Sequence, residues 1–142
     1  MALPLDIAFL KRAETNLGRK LPLGYAVKMC RENGGDIATG SDSWLLFPIF
    51  DDSDRKRLKR TCNDIIRETT WARDWPRFPQ DALAIGANGC GDKLVLLADQ
   101  ETDRFSDEVY WWDHETGELN QVADSFEELS GPKDCSTGRD FP

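Results

Sequence analysis

Few residues in this chain are equipped for chemistry: a single histidine, His114, four cysteines at positions 30, 62, 90 and 135, and one glycine-rich stretch, residues 86–93. A hydrolase of the Ser-His-Asp or Cys-His kind would route every proton transfer through His114. That residue lies between Asp113 and Glu115 beside an expected hairpin turn, where exposure is expected. A hydrolytic metal site built on two or three histidines needs more than one. A hydrolase using Asp92 or His114 is therefore the weakest of three functional readings. The stretch Gly86-Ala87-Asn88-Gly89-Cys90-Gly91-Asp92-Lys93 invites comparison with a phosphate loop. Such a loop needs Lys directly after its last Gly and then Ser or Thr. Here Asp92 takes the lysine position and would repel phosphate, and Leu94–Leu97 continues as strand rather than as an anion-binding helix N-terminus. A tight turn with positive φ explains these glycines better.

Asp51-Asp52-Ser53-Asp54 has the acid density of a calcium loop, but that loop needs Gly at its sixth position and Glu at its twelfth. Counting from Asp51, those places hold Lys56 and Cys62, so helix capping is the expected role of these acids. No two cysteines have Cys-x-x-Cys spacing, so they read as free thiols behaving as small hydrophobes. No metal and no cofactor is expected.

Charge is more informative than any motif. The chain carries −8 with a pI near 4.6, which argues against nucleic acid or an anionic membrane as partner. Residues 99–118 hold eight acids (Asp99, Glu101, Asp103, Asp107, Glu108, Asp113, Glu115 and Glu118) against one base, Arg104. Tyr110, Trp111 and Trp112 are consecutive in an expected strand and cannot all face one side. Aromatic anchors ringed by charge are a common interface composition. The eight acids together with Tyr110 and Trp112 form the candidate partner-binding surface, and a helix covering that face is the competing reading. The run Arg55, Lys56, Arg57, Lys59 and Arg60 is broken by Leu58 at helical phase and reads as the solvated side of a helix.

The elements that must position these residues emerge from periodicity. A helix is expected over 4–17, from Leu5, Phe9, Ala13 and Leu17, and a second from Pro22 to the stop at Asn33-Gly34-Gly35. Residues 41–43 read as loop. Trp44–Phe50 reads as a strand that Pro48 pushes to a sheet edge or bulge. A third helix is expected over 54–70 with Leu58, Cys62, Ile65, Ile66 and Thr69 on one side, then irregular chain from Trp71 to Pro79. Strands are expected at Ala82–Ile85, Lys93–Ala98, Glu108–Asp113 and Leu119–Val122, and a short helix at Phe126–Leu129.

Helices, then consecutive strands, then a helix define an α+β domain with a mostly antiparallel or mixed sheet of about four to six strands. At 142 residues the chain fits one domain, residues 1–130, with a polar tail over 131–142. Its first residues lack a basic start and carry Asp6 in the only apolar run, and the longest apolar runs are far short of a membrane span. The chain reads as cytoplasmic.

Three segments in order resemble the SUKH superfamily: Leu17-Gly18-Arg19-Lys20-Leu21-Pro22-Leu23-Gly24-Tyr25 leading to Asn33-Gly34-Gly35, then Ile85–Asp92, then Val122–Leu129. Gly24 departs from the polar residue usual before that tyrosine, and helix 54–70 is longer than the family pattern. The resemblance implies helices packed on a mixed sheet, no catalytic residues, and structural roles for the shared glycines, Pro22, Tyr25 and Phe126. It also implies a protein-binding function. Bacterial members are typically immunity proteins that neutralise polymorphic or contact-dependent toxins, often nucleases, and a fungal regulator of cell-wall synthesis acts as an interaction module. The expectation is a toxin-neutralising immunity protein engaging a basic toxin through the acidic 99–118 segment. The second reading is an intracellular adaptor of the same fold with a non-toxin partner.

Overall fold

The computed structural model describes residues 2–40 and 42–129, and the tail expected over 131–142 lies outside them. Two helices come first. In α1 (Ile7–Leu17) Asp6 is the N-cap, its carboxylate accepting from the Ala8 N–H, and Gly18 is the C-cap. The helix therefore starts three residues later than expected, because the cap lies beyond Pro4 and Leu5. Pro22 precedes α2 (Leu23–Arg31), which buries Tyr25 and Met29 and ends with Lys28 and Arg31 in its last turn, a favourable place for cations.

Six strands come next, β1 (Gly35–Thr39), β2 (Asp42–Leu46), β3 (Ala82–Ala87), β4 (Lys93–Ala98), β5 (Phe105–Trp112) and β6 (Leu119–Ala123). They form one antiparallel sheet in sequence order, β1 through β6. Strand β1 is not evident in the sequence, because a five-residue segment after two glycines carries too little periodicity. Residues 42 and 43 belong to β2, not to a loop. β2 is also not an edge strand. It ends at Leu46, before Pro48, and lies between β1 and β3. The chain beyond β2 is held by a side chain that imitates a strand: the buried Asn33 amide accepts from the Ile49 N–H and donates to the Ile49 carbonyl, both at 2.8 Å. Asn33 can reach them because Gly34 turns the chain at φ 112°, a region that disfavours any side chain.

The single helix expected over 54–70 is two helices, α3 (Arg55–Arg60) capped by Asp54 and α4 (Ile65–Ala72) capped by Asp64. The break comes at Thr61, whose hydroxyl accepts from the Asp51 N–H and whose side chain is buried. Helix α3 buries nothing, so Leu58 and Cys62 are exposed, whereas Ile65, Thr69 and Ala72 of α4 are buried. Helix α4 takes over where β2 leaves β3: the Thr69 hydroxyl accepts the Ala84 N–H at 2.8 Å. Strand β3 is consequently buried on both faces from Ala82 to Ile85.

A 3-10 turn, Phe126–Glu128, closes the fold by setting the Phe126 ring edge-on to Tyr25, 5.3 Å between centroids. Such pairs contribute about 0.5–1.5 kcal/mol beyond their buried area. The core runs through Trp44, Leu83, Ile85, Leu94, Val95, Leu96, Val109 and Trp112, all 0–1% exposed. The architecture is the α+β class expected. No helix among the described residues is long and apolar enough to cross a membrane.

Candidate partner-binding surface

The antiparallel order puts the 39–42, 88–92 and 113–118 turns at one end of the sheet and the 99–104 turn at the other. Strand β5 has seven steps from Phe105 to Trp112, so about 23 Å separates its ends. The eight acids are contiguous in sequence but not in space. Asp99, Glu101 and Asp103 fall at one end, Asp113, Glu115 and Glu118 at the other, and Asp107 and Glu108 lie on the strand between them.

The 99–104 end is a structural clamp. Arg19 Nη1 donates to the carbonyls of Asp99, Thr102 and Arg104 at 3.0, 3.1 and 3.3 Å. The Lys20 N–H donates to the Asp103 carbonyl, and the Phe105 N–H to the Lys20 carbonyl. The Asp99 carboxylate is spent on its own turn, accepting from the Glu101 N–H and the Thr102 hydroxyl. Three cations, Arg19, Lys20 and Arg104, thus stand near the three acids of this end.

At the opposite end the turn holds three acids, and the guanidinium bonded to it is that of Arg77, through the Glu115 carbonyl. Asp113 Oδ1 accepts from the Glu115 and Thr116 N–H groups, shaping a turn that leaves Glu115 and Glu118 exposed. Below it, Asp92 Oδ1 receives both the His114 N–H and His114 Nδ1, the latter at 2.5 Å, while Oδ2 accepts the Trp111 indole N–H. Burial pushes the Asp92 carboxyl up, but these three donors outweigh it and hold it below the ordinary carboxylate range. His114 is therefore paired and three-quarters buried, not exposed. Its close seat requires Gly91, where φ is 105° and an added Cβ would lie 2.9 Å from the imidazole. Glycine here is a turn residue, in line with the sequence expectation.

The aromatics are arranged differently from expectation. Trp112 is fully buried, so it cannot touch a partner; its indole N–H donates to the Arg77 carbonyl, and Phe78 packs edge-on against it at 5.0 Å. The loop after α4, not a helix, covers that face. Tyr110 is half-buried on β5. The outward aromatic at this end is Trp75, 43% exposed, edge-on to His114 at 5.6 Å and to Trp112 at 6.5 Å. Nearby, Arg77 has φ 67°, the sole positive φ outside glycine among the described residues. Its Nη2 donates to the Glu115 carbonyl at 2.8 Å, tying the loop to the acidic turn. Periodicity does not reveal Trp75, because the segment from 71 to 79 has none; two tryptophans beside two prolines are the available signal.

Asp92, Asp113 and His114 each bring one possible metal-ligand atom within 4.8 Å of the others. Both Asp92 oxygens and one Asp113 oxygen are already accepting hydrogen bonds, and three donors with one imidazole fall short of a structural zinc set. No Ser, Thr or Cys side chain is hydrogen-bonded to His114 among the described residues.

The family model of SMI1 / KNR4 (SUKH-1) matches residues 4–130, nearly the whole of the described chain. The chain belongs to the SMI1 / KNR4 family. No curated protein matches it. In this SUKH-1 domain each resemblance segment has a structural job. Gly18 caps α1, Tyr25 and Phe126 interlock, and Gly91 seats His114. At the unusual Gly24 a Cβ would lie 2.7 Å from the exposed Glu127 side chain, a flexible neighbour that can swing aside, so the structure does not demand glycine there. Glu127 thus lies against the first turn of α2, where negative charge is favoured and Pro22 offers no side-chain cap.

Proposed function

We propose that this SUKH-1 domain is a cytoplasmic binding protein, not an enzyme, and that it neutralises a cognate toxin by complexing it. The observation carrying this reading is the end of the sheet where Glu115 and Glu118 stand exposed beside Trp75, over the rigid Asp92–His114–Trp111 network. An exposed indole supported from below and flanked by acids that outnumber the neighbouring Arg77 guanidinium suits a basic protein surface. A nuclease toxin must be basic to hold its substrate, so such a surface would both steer association and occupy the phosphate-binding face. Of the eight acids between 99 and 118, Asp113, Glu115 and Glu118 belong to this surface, Asp107 and Glu108 flank it, and Asp99, Glu101 and Asp103 do not contribute.

The test is capture from the native source with the tagged chain as bait, followed by kinetics with the purified partner. Recovery of a stoichiometric basic toxin whose association slows at least tenfold with Glu115→Lys/Glu118→Lys supports the proposal. Recovery of a regulatory or housekeeping protein would replace it with the adaptor reading. Unchanged kinetics in the double variant would remove this surface from it.

A further inference from the structure

A second surface lies at the other end of the molecule, and it has opposite chemistry. Leu23 is 71% exposed, Ile7 53% and Val27 44%, three aliphatic side chains in water on two adjacent helices. They belong to one groove of about 600 Å³, a size typical of ligand sites. Helix α1 contributes Ile7, Leu10, Lys11 and Glu14, spaced i, i+3, i+4 and i+7. Helix α2 contributes Leu23, Ala26, Val27 and Cys30 with the same spacing. Two such stripes side by side form the trough that receives the apolar face of a third helix.

The rim decides what kind of helix. Lys11, Lys20, Arg31 and Arg104 line the groove, and none has a side-chain hydrogen bond or ion-pair partner among the described residues. The one acid in the lining, Glu14, is engaged, its Oε2 accepting the Leu21 N–H at 2.8 Å. In a chain of net charge −8 this is a local reversal of sign. We infer that the α1–α2 groove is a docking site for an acidic amphipathic helix of a partner protein, separate from the acidic end of the sheet.

Charge complementarity favours this occupant over two others. A second copy seated symmetrically would set the same four cations against themselves. An anionic membrane would attract the rim but repel the rest of the chain, whose net charge is −8.

The experiment uses the full chain and a dye-labelled synthetic helix with leucines at i, i+3, i+4 and i+7 and glutamates elsewhere, read by fluorescence anisotropy. The wild-type protein should bind it saturably. Affinity should fall tenfold or more in Leu23→Gln/Val27→Gln and in Lys11→Ala/Arg31→Ala, and for the same peptide with lysine replacing glutamate. All four substitutions are at exposed positions, and unchanged melting curves would verify the fold. Equal binding by the variants or the lysine peptide, or no saturable binding by the wild type, overturns the proposal. So does binding to phosphatidylserine vesicles, or concentration-dependent dimerisation, that is abolished by Leu23→Gln/Val27→Gln while the peptide does not bind. Charge reversal at Glu115 and Glu118 should leave peptide binding intact, so the two surfaces succeed or fail independently.

Discussion

The two ends of β5 are built by different means. At the 113–118 end the polar surface rests on a buried aromatic cluster, with Trp112 carrying Trp75 and Phe78, and on hydrogen bonds converging on Asp92. At the other end, Arg19 and Lys20 pin the 99–104 turn to the helical layer, and the feature left exposed is the aliphatic trough of α1 and α2. Acid density in the sequence does not distinguish them, since each turn holds three of the acids. The difference lies in what each turn's neighbours supply: Arg19 and Lys20 from the α1–α2 connection at one end, an indole, a histidine and the guanidinium of Arg77 at the other. Charge that counts for recognition is what remains after such local pairing.

The largest effect that would sharpen this contrast is on stability. Trp112→Ala should cost about 3–5 kcal/mol, measured by denaturant unfolding, because it empties the cluster beneath the acidic end. Leu23→Gln should change stability by no more than about 0.5 kcal/mol, since its side chain is exposed. Comparable costs for the two would break the claim that one end is a supported surface and the other a free one.

Next in size, Asp92→Asn should cost about 1–3 kcal/mol near neutral pH by weakening charge-assisted bonds to His114 and Trp111. Because the folded carboxyl titrates below its unfolded value of ~3.9, its contribution is present above that value and lost as pH falls through the folded one. The acid limb of the stability curve should therefore be shallower in the variant than in the wild type.

For association with a basic partner, Glu115→Lys/Glu118→Lys should slow binding at least tenfold at low salt, whereas Glu101→Lys/Asp103→Lys should change it less than threefold. Equal effects would mean that the 99–118 segment acts as one patch after all. The smallest effect concerns the helical layer. The Tyr25 hydroxyl is fully buried with no hydrogen-bond partner among the described residues, and burial pushes its pKa well above the ordinary phenol value. Tyr25→Phe should be neutral or stabilising by up to about 1 kcal/mol in thermal or denaturant unfolding, leaving the Phe126 contact in place.

Much of this is readable from residue order. Helix caps such as Asp54, the stop at Asn33-Gly34-Gly35 and the paired strands after residue 82 are local features, set by side chains within a few residues of one another. The α+β class and the family emerge from them. The net acidity and the lack of a second histidine are properties of composition, and no fold can alter them.

Other features waited on tertiary structure, because they depend on distance and occlusion rather than on order. The length of β5 separates acids adjacent in sequence, and Trp112, which alternation alone would allow to face outward, is buried. An irregular loop covers Trp112 and exposes Trp75 in its place. The same holds for the helices: α1 and α2 each devote one stripe to the core, visible as periodicity. That their second stripes meet in a trough rimmed by cations is decided by how the two helices pack and by Arg104 arriving from a distant part of the chain to bridge Lys20.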